Sequence, residues 1–364
     1  MFRKLSSRLI CAALAAVLMA SAAAATGEDA SESAVFFTRE EIFTARDLRQ
    51  EADLLVATPL TVTDGARIQI GTAGVYVLSG EANEACVTVQ AGNEDKVQLV
   101  LDGLKITNAG TPCIHIASAD KVFITTLPGS VNALTVTGAF SVSQDAVIFA
   151  RDDLVLNGQG KLIIRSSQNG VSARNDLKIT GGEYVLSSGD AAFESRESIC
   201  ISGGAVTMEN SKDGLHSESS SDDELGYIYI AGGSLQINSL DDAVHAQSVF
   251  QMDAGTLVLQ AHEGIESTRV QINGGSLFIT ASDDCINAGR KSPAYEPAIQ
   301  INGGTLSVRA LSASSDALDA NGDIFINGGS VEITADHPFD YDGVALLTGG
   351  TLMVNGKAWH EILR

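Results

Sequence analysis

Ile299-Gln300-Ile301-Asn302-Gly303-Gly304-Thr305-Leu306-Ser307-Val308 decides the fold, because the same pattern returns down the C-terminal half of the chain. The clearest copies are LKITGGEYVL from Leu177, ICISGGAVTM from Ile199, IYIAGGSLQI from Ile228, VQINGGSLFI from Val270 and IFINGGSVEI from Ile324, with a degenerate FQMDAGTLVL from Phe250. Subtracting positions from Gly181 through Gly203, Gly232, Ala254, Gly274, Gly303 and Gly328 to Gly349 gives spacings of 22, 29, 22, 20, 29, 25 and 21 residues. A period in the low twenties is that of a solenoid, in which each unit buries its apolar face only against its neighbours.

Within a copy the apolar residues alternate, as Ile299, Ile301, Leu306 and Val308 do, which is the period of short half-buried strands. The Gly-Gly supplies positive φ at a bend, and the Asn before it (Asn273, Asn302, Asn327) tolerates the same region. A third apolar piece follows, as in Gly214-Leu215-His216-Ser217. Three short strands and three bends per turn describe an all-β, right-handed parallel β-helix, and no helical pattern of the length needed for a barrel or doubly wound sheet separates the strands. At about 22 residues per turn, Asp53 to Asn355 makes about 13 coils stacked at roughly 4.8 Å. Leu215, Val244, Ile265, Ile286 and Leu318 then stack inside, and the small residues before them, Gly214, Ala243, Gly264, Cys285 and Ala317, mark a tight bend or a groove floor. The two long spacings place extra residues at 218–226 and 289–297, at equivalent points, so both loops project from one edge.

Five segments follow. Residues 1–25, with Arg3, Lys4 and Arg8 before an apolar run, read as a secretory signal peptide, and 26–34 as a linker. Residues 35–52 carry the capping box Thr38-x-x-Glu41 and are expected to form a short helix to about Arg49 that covers the first coil. Residues 53–356 are the β-helix, and 357–364, with Trp359, close the other end. The chain is expected outside the cell, free or at its surface, as a monomer without a membrane span, since no 18-residue apolar stretch follows the leader. Of the cysteines beyond the leader, Cys86 and Cys113 lie about one coil apart and could be neighbours, bridged or free; their spacing fits no zinc motif.

Removing three basic residues with the leader leaves 20 against 45 acidic ones, a formal charge of −25. That surface repels nucleic acid and anionic lipid, and repels an acidic polysaccharide unless a multivalent cation lies between. The acids are ordered. One column reads Asn169, Asp213, Asp242, Glu263, Asp284, Asp316; a second reads Ser172, Glu194, His216, His245, Glu266, Asn287, Asp319; Asp190, Asp241 and Asp283 form a partial third. Carboxylates stacked at about 5 Å raise each other's pKa, and a hard divalent ion relieves the conflict. Calcium is therefore the expected cofactor, with Asp213, Asp241 and Asp242 as one set, Asp283, Asp284 and Asn287 with Glu263 or Glu266 as another, and Asp316 and Asp319 above them. Asp before a small residue also makes ordinary turns. His216 and His245 share outward parity and stack, and no third zinc ligand is evident.

Asp95-Lys96-Val97-Gln98-Leu99-Val100-Leu101-Asp102-Gly103, Ala119-Asp120-Lys121-Val122-Phe123-Ile124-Thr125, Asp213-Gly214-Leu215-His216 and Asp283-Asp284-Cys285-Ile286-Asn287 together resemble a family of secreted bacterial carbohydrate-binding β-helix proteins. The resemblance runs from about residue 36 to 356 and implies binding of pectin and cellulose on a calcium-holding scaffold like that of pectate lyases; Leu127–Asn132 departs from it in lacking an acid. It implies a non-catalytic receptor of plant cell-wall polysaccharide, with sugar contacts expected from His216, His245, Glu266, Asn287, Arg290, Lys291 and Tyr295. Aromatics are 5% of residues, so stacking on sugar rests on a few outward rings: Tyr229, Phe278, Phe325 or Tyr295. A calcium-dependent lyase, with Lys212, Arg269, Arg290 or Lys291 as base, and a structural stalk without a sugar ligand are the rival readings.

Overall fold

In the computed structural model, which describes residues 35–363 other than Val142, the strands of each coil pair in parallel with the equivalent strands of the next, so that three parallel sheets run along the axis. The first sheet runs from Thr58–Thr61 through Gly74–Ser79, Lys96–Leu101 and Lys121–Thr126 to Asp323–Ile326 and Ala345–Leu347, thirteen rungs among the described residues. The second runs from Glu81–Asn83 to Thr351–Val354 and the third from Arg67–Ile70 to His337–Tyr341. This is the expected β-helix. The expected leader 1–25 and linker 26–34 lie outside the described residues.

Register follows the alternation in the sequence. Leu215 pairs Val244, Val244 pairs Ile265, Ile265 pairs Ile286 and Ile286 pairs Leu318, all fully buried. Each aliphatic side chain meets its equivalent above and below, so burial worth about 1.5–3 kcal/mol per residue is shared along the axis rather than gathered in one centre. The small column is a tight bend: a Cβ on Gly264 would stand 2.3 Å from the Cys285 carbonyl oxygen. At the Gly-Gly bends it is the second glycine that takes positive φ, as Gly304 does at +82°. The preceding asparagines do not share that conformation, contrary to the sequence expectation. They form a hydrogen-bonded ladder instead, Asn302 Nδ2 donating to Asn273 Oδ1 at 2.7 Å and Asn327 Nδ2 to Asn302 Oδ1 at 3.0 Å.

The N-terminal segment departs most from expectation. Its helix is one turn, Arg39–Ile42, with the Thr38 hydroxyl donating to Glu41 Oε2 rather than capping the backbone. The segment does not lie over the first coil; it runs along the outer side of the first sheet. Gln251 Oε1 accepts from the Phe36 and Phe37 amides, Lys178 binds the Ile42 carbonyl, Arg46 reaches Gln98, and Asn157 binds the Arg49 carbonyl. Asp47, fully buried, bridges Lys121 (3.3 Å) and Lys178 (3.6 Å). At the other end Lys357–Trp359 turns back antiparallel on Thr351–Val354, and Trp359 packs against the core near Phe339. Val87 pairs Ile114, so Cys86 and Cys113 are neighbours, yet both thiols are free.

Candidate functional site

The outward residues of the third sheet form one continuous column. Ser172 pairs Glu194, which pairs His216, then His245, Glu266, Asn287, Asp319 and Asp340 in turn. Every expected member of the second acidic column is therefore stacked as read. On one side the column is bordered by Asp213, Asp242, Glu263, Asp284 and Asp316, each three residues before a column member and at or just before the start of its strand. On the other stand the two inserted loops, which follow Leu215–Ser217 and Ile286–Ala288 and lean together: Ser292 Oγ donates to the Asp223 carbonyl at 2.5 Å. Backbone amides of both loops are held by side chains of the intervening coils, Ser219 by Gln247 and Ser292 by Thr268.

Two stretches of this column differ in charge. In the lower one Asp213, Asp241, Asp242 and Glu266 each have a basic side chain beside them. Lys212 Nζ lies 3.4 Å from Asp213 and 3.7 Å from Asp241, and His216 Nδ1 is 3.3 Å from Asp213. His245 Nδ1 donates to Asp242 at 3.1 Å and Glu266 at 2.8 Å, and Lys291 comes from the second loop to the other oxygen of Glu266. Burial opposes the imidazolium of His245, but Glu266 and Asp242 outweigh it and push its pKa up to about 9. Burial likewise opposes ionised Glu266, and His245 and Lys291 win, drawing it down to about 2.

The upper stretch is dominated by acids. Burial, then Glu266, Asp242 and Asp284, push Glu263 up to about 7. Burial, then Asp284, Asp316, Asp340 and Asp342, push Asp319 up to about 6. Asp284 and Asp316 are raised by the same combination. Asp284 also caps the next coil, its Oδ1 accepting from the Asp316 amide at 2.7 Å, as Asp213 accepts from Asp242 below. Asp283 accepts from Ser315 Oγ, and Asn287 Nδ2 is 3.5 Å from Glu263. Among the described residues, triads whose ligand atoms all lie within 4.8 Å are His216, Glu218 and His245; Asp242, His245 and Glu266; and His262, Glu263 and Asp283. Glu218 and His262 were not singled out in the sequence.

The remaining expected contacts are dispersed. Arg290 pairs with Glu296 inside its own loop, and Tyr295 meets Phe36 edge-on at 5.8 Å. Tyr229 is corrected: its ring has outward parity but is fully buried, because Phe37 and Phe43 of the N-terminal segment cover it and Asp253 takes its hydroxyl at 2.7 Å. Phe278, 41% exposed beside Val258, lies on the second sheet, and half-buried Phe325 on the first, both away from the ladder.

A family model described as Carbohydrate-binding domain-containing protein matches residues 64–343. A protein of that description from Acetivibrio thermocellus is 39% identical over 126 residues, which are 33% of this chain and 44% of the relative, so the alignment spans less than half the relative's length. The solved structure of the polysaccharide lyase-like protein from C. thermocellum, a gadolinium derivative, superposes with a TM-score of 0.53 at 27% identity over 61% of this chain and 96% of the other.

Proposed function

The chain belongs to the carbohydrate-binding domain-containing protein family, and from that premise we propose that it is a secreted receptor that holds an acidic cell-wall polysaccharide of the pectin type on the third sheet without cleaving it. The observation that carries this reading is the shortage of positive charge along Glu263, Asp284, Asp316 and Asp319, whose carboxyls burial and mutual proximity force toward the protonated state. Hard oxygen donors suit calcium, which takes about six to eight oxygens, and Glu263 and Asp283 with His262 already bring ligand atoms within 4.8 Å of one another. Glu263, Asp283, Asp284, Asn287, Asp316 and Asp319 are the residues that would hold it. Bound calcium would supply the positive charge that lets these carboxylates and those of a uronate chain share one surface. The lower set, Asp213, Asp241 and Asp242, fits calcium less well because Lys212 and His245 already stand against it.

In this reading the protein's own groups have three tasks. The strand backbone fixes the rungs at about the inter-strand spacing, so that acidic side chains face the ligand at regular intervals. Asn287 and the loop residues Arg290 and Lys291 offer donors to hydroxyl and carboxylate oxygens. The loops at 218–226 and 289–297 wall one side.

A lyase needs a base whose proton is easily lost at working pH. The four basic residues considered are committed elsewhere. Asp213 raises the pKa of Lys212, and Glu266 outweighs burial to raise that of Lys291. Arg290 pairs with Glu296, and Arg269 stands on the first sheet against Gln300. The test is retention on immobilised polygalacturonate with calcium and with chelator, alongside ultraviolet monitoring for unsaturated product. Calcium-dependent retention with no product is expected; steady product, or retention indifferent to chelator, overturns the reading.

A further inference from the structure

The lower stretch of the ladder contains a donor set unlike that of the acidic stretch. The imidazoles of His216 and His245, on adjacent coils, lie face to face with centroids 4.5 Å apart and planes 6° from parallel. His245 is held from behind through Nδ1 by Asp242 and Glu266, whereas His216 Nδ1 lies 3.3 Å from Asp213 without a hydrogen bond. An ionised carboxylate only accepts, so in the neutral ring of His245, the form that binds a metal, the proton sits on Nδ1 and Nε2 is left for a ligand, while His216 already turns Nε2 toward Glu218. Glu218 supplies a third group. It stands two residues beyond His216 in extended chain and so shares its face, with Oε2 3.5 Å from His216 Nε2 and a side chain 63% exposed.

We propose that His216, His245 and Glu218 form a site for zinc or a similar divalent transition ion, separate from any calcium on the acidic stretch. Two imidazoles and a carboxylate, with ligand atoms all within 4.8 Å, suit such an ion, and its remaining position faces solvent. Calcium, which takes oxygen donors, is a poor occupant. The carboxylates behind His245 form the arrangement that fixes the tautomer of a metal-binding histidine and strengthens its donation. Metal–nitrogen distances of about 2.1 Å require the two rings to tilt from parallel toward each other. His216 and His245, 25% and 14% exposed, have solvent on their outer side to do so, and Glu218 opens a loop able to follow. Lys212 and Lys291, the cations nearest the site, bind Asp213 and Glu266 on its far side.

The test is calorimetric titration of metal-stripped full-length protein with zinc alone, in saturating calcium so that the acidic stretch does not compete. One zinc per chain is expected. Glu218→Gln, an exposed change that leaves the fold intact, should weaken binding at least about 10-fold, which is the least that loss of even an outer partner of a metal ligand costs. His216→Gln should weaken it further, and Asp319→Asn should leave it unchanged. Unaltered affinity in both Glu218→Gln and His216→Gln, loss of binding in Asp319→Asn, or no binding at millimolar zinc would each overturn the proposal, and none of these outcomes bears on whether the acidic stretch binds calcium or polysaccharide.

Discussion

Asp242, His245 and Glu266 on one side and Glu263, Asp284, Asp316 and Asp319 on the other stand on adjoining rungs of the same face, built by one repeat, yet their electrostatics run in opposite directions. Where Lys212, His216, His245 and Lys291 are interleaved, Glu266 sits near 2 and His245 near 9, so the charged forms are stabilised by the fold. Where acids follow acids, Glu263 rises to about 7 and Asp319 to about 6, and the charged forms are opposed. A solenoid fixes position and leaves charge free to vary, so a substitution on one rung changes the chemistry of its neighbours without touching the core.

The largest effect expected from breaking this contrast is at Glu266. Replacing it by Leu removes a partner from His245 and from Lys291 at once, and loss of one member of a largely buried ion network costs about 3–5 kcal/mol. Chemical denaturation should show that loss, and NMR titration should find His245 moved down toward its ordinary value near 6.5.

Next comes pH. His245 is raised, so its contribution is complete below about 6.5 and is lost as pH rises through about 9; Glu266 is depressed, so its contribution is present above its ordinary value and is lost as pH falls toward about 2. Glu263 and Asp319 are raised acids and act oppositely: the folded state binds more protons than the unfolded one between their ordinary values and about 7 and 6, so in metal-free protein stability falls as pH climbs through that window. Melting temperature from pH 4 to 7 in chelator should decline, and calcium should flatten the decline. A calcium-independent profile would remove the contrast.

A smaller effect is expected from Asp319→Asn. It relieves repulsion among Asp284, Asp316 and Asp340 and should raise metal-free stability by up to about 1 kcal/mol at pH 7, whereas Asp213→Asn, which deprives Lys212 and His216 of a partner, should lower it. Lys212→Ala, at a half-exposed pair, should cost less than about 1 kcal/mol.

The fold was legible because its evidence is local and repeated: alternation gives strand faces, and the glycine pairs give the phase that stacks Leu215 on Val244 and His216 on His245. The path of the N-terminal segment was not, since its partners Gln98, Asn157, Lys178 and Gln251 lie between about 50 and 215 residues away along the chain and no pattern of period 2 announces them. Tyr229 shows the consequence: its outward parity was readable, its cover was not. The acidic column was legible as a ladder, but its division into compensated and acid-dominated stretches depends on Lys212 and Lys291, one at a bend and one on an inserted loop, whose reach only coordinates give. Glu218 escaped notice for the same reason, as the first residue of an insertion.

Calcium titration of the metal-stripped protein by calorimetry at pH 7, comparing an Asp284→Asn/Asp319→Asn double variant with Asp213→Asn, tests the account most directly. The double variant should lose most of the binding and Asp213→Asn should retain it. Undiminished binding in the double variant, with loss in Asp213→Asn, would contradict the assignment of the ion to the acid-dominated stretch.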